Sequence, residues 1–183
     1  GVAPPALPRP PRHFVSHAWG GTFASVVHAL ERYFRAAAAD SVYVWLDVFA
    51  IDQRPGKAYP ELDEGRMLAK VISRSEATLV VAEKDLLPLR RLWCLYELGS
   101  TPADKVQLLT LGLKDEDIVR ATADIDAEQA LCFSPKDERL IHGHIRERHG
   151  SLQAFSETLR LRLLLRPTEY HADIDALRRR SAG

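Results

Sequence analysis

The chain has 183 residues, 46% apolar and 27% charged, the profile of one globular domain with its own core and too short for two ordinary ones. Lysine plus arginine and aspartate plus glutamate number 25 each, and this balance argues against wholesale binding to nucleic acid or an anionic membrane. Two cysteines, Cys94 and Cys132, make neither a disulfide framework nor a C-x-x-C metal pair, so a reducing, cytoplasmic setting is expected.

The opening GVAPPALPRPPR carries five prolines in its first eleven residues, which excludes a helix or a central strand. Residues 1–12 therefore read as a linker, expected to join this domain to a longer protein. HFVSHAW (13–19) predicts a first strand. The segment after it sets Phe23, Val26, Val27, Leu30, Tyr33 and Phe34 on one helical stripe. VYVWLDVF (42–49) predicts a second, buried strand, and AIDQRPGKAYPELD a loop broken by two prolines and a glycine. A helix is expected over about 61–75, with Met67, Leu68, Val71 and Ile72 on one side, then a third strand at ATLVVAE (77–83).

A further helix covers about 90–100 and contains RLWCLYEL, where Trp93 and Glu97 lie four residues apart and share a face. KVQLLTL (105–111) is the fourth strand, and a weaker fifth is expected near 124–133. SPKD (134–137) reads as a helix start, with Ser134 as cap, Pro135 in the first turn and Asp137 as the capping-box acid. Gly150 stops that helix. A last one follows with Leu152, Phe155 and Leu159 on one face, then a tail, 168–183. The nearest approach to a long apolar run, LRLRLLLRP at 159–167, is short and interrupted by arginines, so no membrane-spanning segment is expected, and no secretory signal is read.

Strands alternating with helices imply a parallel sheet covered on both faces. The expected architecture of 13–167 is α/β and flavodoxin-like, a five-stranded parallel sheet of order 2-1-3-4-5. Ligands in such sheets bind beyond the carboxyl ends of the strands where the order reverses, here between strands one and three. That places Ser16, His17, Trp19, Gly20 and Gly21 across a crevice from Arg90, Arg91, Trp93 and Glu97.

No G-x-G-x-x-G follows a strand and no G-x-x-x-x-G-K-[ST] is present, which removes dinucleotide-fold and P-loop readings. A phosphate-accepting receiver domain would need acids just after strand one, where SHAWGG stands. His142, His144 and His149 lie among charged residues and read as a solvated helix face rather than a metal site. Cys94 points away from Trp93 and reads as a buried structural thiol. Arg90 and Arg91 could take a phosphate by bidentate hydrogen bonds or pair with Glu83 and Asp85.

HFVSHAWGGTF, VWLDVFAIDQ and ATLVVAEKDLLPLRRLWCLYEL together resemble the Toll/interleukin-1 receptor (TIR) domain, nearest its plant-type and algal branches, in which W-C-L-x-E-L begins the third helix. The likeness carries motifs from about 13 to 111 and strand–helix order to about 165. Arg91 stands where the plant pattern has serine, and SHAWGG replaces its strand-one arginine.

The resemblance implies cleavage of NAD⁺ at the nicotinamide–ribose bond, giving nicotinamide with ADP-ribose or a cyclic form, in immune or stress signalling. It implies Glu97 as the catalytic residue. Trp93 is expected in its pocket, with Ser16, His17, Trp19 and Arg91 as further substrate-binding residues. Residues 49–60 would be a mobile loop for access and self-association, with charge from Arg54 or Lys57. NAD⁺ is expected as substrate, with no cofactor or metal, and other TIR domains as partners. The competing expectation is a non-catalytic module that assembles with other TIR domains; a third is a receptor that binds a nucleotide without turning it over.

Overall fold

A computed structural model describes residues 12–38, 41–50, 64–83, 85–110 and 112–165. The expected linker before Arg12, the 49–60 loop beyond Ala50, with Arg54 and Lys57, and the tail 168–183 lie outside the described residues.

The elements are β1 (His13–Ser16), α1 (Phe23–Tyr33), β2 (Val44–Trp45), α2 (Asp47–Ala50), α3 (Glu64–Arg74), β3 (Ala77–Ala82), α4 (Leu92–Ser100), β4 (Val106–Thr110), α5 (Asp115–Ala123), α6 (Pro135–His149) and α7 (Leu152–Leu165). The strands pair in parallel in the order β2-β1-β3-β4, so the α/β class and the position of the order reversal are as expected.

Period-two alternation sorts the strands' side chains between two faces. Val15, Leu79, Val81 and Leu109 pack with Val26 and Ala29 of α1. Val80, Ala82, Val106 and Leu108 pack on the other face with Leu92, Leu95 and Leu98 of α4, Ile141 and Ile145 of α6 and Phe155 and Leu159 of α7. Phe14, Leu68 and Ile72 close the core on the α3 side. The helix ends obey their sequence signals: Thr22 Oγ1 accepts from Ser25 N–H, Ser134 Oγ from Asp137 N–H, and Gly150 ends α6 at φ +81°.

Three expectations on elements change. The second strand stops at Trp45, because Asp47 opens α2 and its Oδ1 accepts from the N–H of Val48 at 2.7 Å. Residues 124–133 form no strand, only an isolated parallel bridge between Leu131 and Arg91. Asp126 Oδ1 there accepts from the N–H groups of Glu128 and Gln129, a turn that competes with a ladder. Further backbone groups of the segment bond side chains: Arg160 Nε donates to Ile125 O, and Ser156 Oγ accepts from Ala127 N–H. An unanticipated helix, α5, fills 115–123, its first turn holding Asp115, Glu116 and Asp117 where acids suit the helix dipole.

Helix α4 is buried nearly all round, from Cys94 to Gly99 without interruption. Its approach to α7 depends on Gly99, where a Cβ would lie 2.3 Å from Phe155 Cε2 and 2.7 Å from Cζ. Alanine in a helix interior normally gains about 0.5–1 kcal/mol over glycine, but overpacking a filled core costs about 1–3 kcal/mol, so the clash wins. Gly99→Ala is expected to lower the denaturant midpoint, and Phe155→Leu in the same chain to recover part of the loss. A Gly99→Ala protein as stable as wild type would show that α4 and α7 sit further apart than described.

Candidate functional site

Ser16 is the last residue of β1, and alternation turns it to the face that carries Phe14, towards α4. Its Oγ donates to Glu97 Oε2 at 2.5 Å, joining residues 81 apart in sequence. Glu97 is 9% exposed, so the carboxyl sits at the edge of the interior with one hydroxyl bonded to it. The backbone of that turn is tied down as well. Thr101 Oγ1 donates to Glu97 O at 2.8 Å and shares a hydrogen bond of 2.9 Å with Thr78 Oγ1 on β3.

Burial is the largest influence on Glu97 and raises its pKa from the ordinary 4.5 to about 8; the Ser16 hydrogen bond pulls the other way, and the Asp47 charge adds to the rise. The carboxyl is therefore mostly protonated at neutral pH and ionises when a positive charge arrives beside it.

His17 and Trp19 follow on the chain and converge on Asp47. The Trp19 indole Nε1 donates to Asp47 Oδ2 at 2.5 Å, and His17 Nδ1 lies 3.7 Å from Asp47 Oδ1. Trp19 is nevertheless 51% exposed, so much of its ring remains open to solvent. Asp47 is absent from the residues singled out in the sequence. The available signal was an acid inside the apolar run WLDVF, at the carboxyl end of a strand, where a carboxylate has no packing reason to be.

The remaining expected residues are engaged differently. Trp93 is half-buried, packing towards Phe14, Leu68 and Ile72 and meeting Tyr96 edge-on at 6.3 Å between centroids. Arg91 occupies the N-cap position of α4, its guanidinium 3.9 Å from the Phe133 ring centroid. Cys94 is buried as expected, its thiol directed at His17 O at 3.4 Å; burial, with the Glu97 charge behind it, pushes the thiol pKa well up and away from nucleophilic use.

The crevice between β1 and β3 proves small on one side and displaced on the other. The cleft lined by His17, Gly21, Val26, Glu83, Asp85 and Leu87 has about 20 Å³, room for about one water. The polar groups instead gather around the ends of β1 and β2, because Asp47 opens α2 there. The α6 histidines also depart from expectation. His142 is buried with Nε2 3.1 Å from Ala127 O, and His149 meets Phe155 edge-on at 5.0 Å, so this is an inner face rather than a solvated one. Among the described residues no group of three or more His, Cys, Asp and Glu side chains is placed to hold a metal ion.

The raised pKa fixes a sign for stability. Folded Glu97 keeps its proton to about pH 8, whereas the unfolded chain releases it near 4.5. The folded state thus binds more protons between these values, so this group's stabilisation is full below the lower one and is lost as pH rises through the upper. Glu97→Gln removes that decline: chemical denaturation at pH 5 and pH 8 should show the variant gaining on wild type at the higher pH by up to a few kcal/mol. Parallel profiles would mean that Glu97 titrates normally. Ser16→Ala removes the one interaction that favours the ionised form, and should move the Glu97 titration to higher pH in carboxyl ¹³C NMR.

No protein-family model and no curated protein sequence matches the chain, so its functional reading rests on its own residues and their arrangement.

Proposed function

We propose that this chain is a TIR domain of the NAD⁺-cleaving kind, a glycohydrolase that breaks the nicotinamide–ribose bond and releases nicotinamide with ADP-ribose or a cyclic ADP-ribose. The observation that carries the reading is the single desolvated carboxyl of Glu97, held by Ser16 at the carboxyl end of a parallel sheet, with an exposed indole and a second acid close by. The W-C-L-x-E-L likeness points to the same glutamate.

The chemistry needs no more than one carboxylate at the reacting carbon. An alcohol leaving group must be protonated as it departs, which is why ordinary glycosidases carry two acids. Nicotinamide in NAD⁺ is cationic. When the C1′–N bond breaks, its electron pair goes to the ring nitrogen and the base leaves neutral. The positive charge passes to the ribosyl oxocarbenium, which ionised Glu97 stabilises while accepting hydrogen bonds from the ribose hydroxyls. Water then adds at C1′ and loses its proton to solvent or to the carboxylate.

Cationic substrate and neutral Glu97 are compatible because binding is linked to ionisation. A positive ring beside the carboxyl lowers its proton affinity, and the ionised site binds that ring more tightly in return. In the free enzyme kcat/KM therefore rises with pH towards the Glu97 pKa near 8. Trp19 offers a flat face to an aromatic base and His17 lines the same rim, while Trp93 and Arg91 act through the helix that bears Glu97, Trp93 by packing it against Phe14, Leu68 and Ile72 and Arg91 from the helix's N-cap position. In cells the setting would be cytoplasmic immune or stress signalling, with self-association of TIR domains promoting turnover; neither nucleic acid nor membrane is a partner.

The second reading, a non-catalytic module that self-associates, is favoured by a separate feature. An apolar groove of about 390 Å³ runs between α1 and β2, lined by Phe23, Val27, Leu30, Val44 and Phe49. Phe49 there is 76% exposed and Phe23 49%.

One experiment separates the readings. Nicotinamide release from NAD⁺ is measured at high protein concentration, wild type against Glu97→Ala. Release that falls at least about a hundredfold in the variant is expected, the scale for removing a group that acts on transition-state charge. Wild type and variant equally silent, in a sample that sedimentation shows to be associated, would reject the glycohydrolase and leave the assembly module.

A further inference from the structure

We infer that Asp47 is a second functional carboxylate of this site, a positioning residue that fixes the Trp19 ring, with His17 alongside, at the rim beside Glu97. This deepens the proposed NAD⁺ reading and rests on it for the identity of the ligand, but the geometry it invokes does not.

Both carboxylate oxygens of Asp47 are used, and for different purposes. Oδ1 accepts from Val48 N–H at 2.7 Å, which fixes the carboxylate plane against its own backbone, and lies 3.7 Å from His17 Nδ1. Oδ2 accepts from the Trp19 indole at 2.5 Å. A tryptophan half open to solvent has little packing to hold it. An indole bonded to a carboxylate that is itself pinned becomes a fixed plate, and a fixed aromatic plate loses less freedom when a flat ring stacks on it. The partner this suits is a planar cationic heteroaromatic ring, which gains from the π face and from negative charge behind it.

Asp47 also acts on Glu97 through space, its charge adding to the rise that burial causes. The groups facing Glu97 among the described residues are Ser16 from β1, Asp47 from α2 and Cys94 on its own helix; His17 meets Asp47, and Arg91 at the head of α4 acts on Cys94. Of these, Asp47 is the acid whose removal favours ionisation of Glu97. One carboxylate therefore does two things: it orients the stacking plate, and its charge adds to the hold that burial keeps on the Glu97 proton.

Asp47→Asn removes the charge and keeps one acceptor oxygen, which can serve either the Trp19 indole or Val48 N–H but not both. Carboxyl ¹³C NMR should show the Glu97 titration moving to lower pH in Asp47→Asn, with the Trp19 indole N–H keeping part of its protection from exchange. In Asp47→Ala the indole should lose that protection as well. Trp19→Phe should leave the Glu97 titration where it was and raise KM for NAD⁺ about fivefold with kcat less affected, the size of one lost stacking and hydrogen-bonded contact. A Glu97 titration unmoved in Asp47→Asn, or a Trp19 indole that exchanges freely in wild type, would overturn the inference and leave Asp47 as a first-turn residue of α2 alone. Should Asp47→Ala fail to fold, Asp47→Asn and the wild-type exchange rate still decide. None of the NMR readouts requires turnover, so an absence of nicotinamide release would sink the glycohydrolase while leaving the Asp47 geometry to stand or fall by itself.

Discussion

The hydrogen bond from Ser16 Oγ to Glu97 Oε2 is the contact around which the polar end of this sheet is built. Helix α4 is enclosed by β1, α3, α6 and α7, and such an environment penalises any unmatched polar group. A glutamate in that helix must be matched from the sheet, and among the described residues the side chain that reaches it is the one at the end of β1 on the inner face. The match is incomplete by design of the chemistry: one hydroxyl satisfies part of a group with four acceptor positions, and burial keeps the proton on. A carboxyl so placed is more stable neutral than ionised.

Its surroundings decide how firmly it is held. The Thr78–Thr101 pair and the bond from Thr101 to Glu97 O tie the end of α4 to β3, while Lys105 Nζ donates to Ser75 O across the foot of the sheet. Arg162 of α7 donates to Thr101 O and Gly99 O, satisfying carbonyls that the helix end leaves open. Glycine at position 99 lets α7 come close enough for that arginine to reach. The site's precision thus derives from ordinary rules of helix termination and close packing, applied at the helix that bears the carboxyl.

Most of the scaffold was legible because its signals are periodic. Val15, Leu79, Val81 and Leu109 alternate with their neighbours as a two-faced sheet requires, and Thr22, Ser134 and Gly150 mark helix ends by their chemistry. Ser16 and Glu97 could be brought together from topology alone, since strand order places the end of β1 beside the helix after β3. Asp47 was hidden because WLDVF reads as a strand interior, whereas the chain turns into a helix at the acid. The stretch 124–133 misled for a related reason. Ile125 and Ala127 are buried like strand residues, yet Ile125 O, Ala127 N–H and Ala127 O bond the side chains of Arg160, Ser156 and His142, partners that no local pattern announces. The charges around His142 suggest a solvated residue, whereas its ring turns inward to Ala127 O.

The spacing of Trp93 and Glu97 takes on a different meaning in three dimensions. Shared helical phase suggested two residues lining one pocket, but a helix buried on every side has no single functional face. Trp93 wedges α4 against Phe14, Leu68 and Ile72 and meets Tyr96, whose hydroxyl donates to Gly65 O at the start of α3. Four residues on, Glu97 meets the end of the strand that Phe14 begins to cover. The tryptophan therefore sets the height and rotation of the helix over β1, and the glutamate is delivered to Ser16 as a consequence. An aromatic anchor one turn before an acid is a way to aim a carboxyl with little freedom left in it, which is the condition under which burial can hold its proton affinity high and a passing cation can release it.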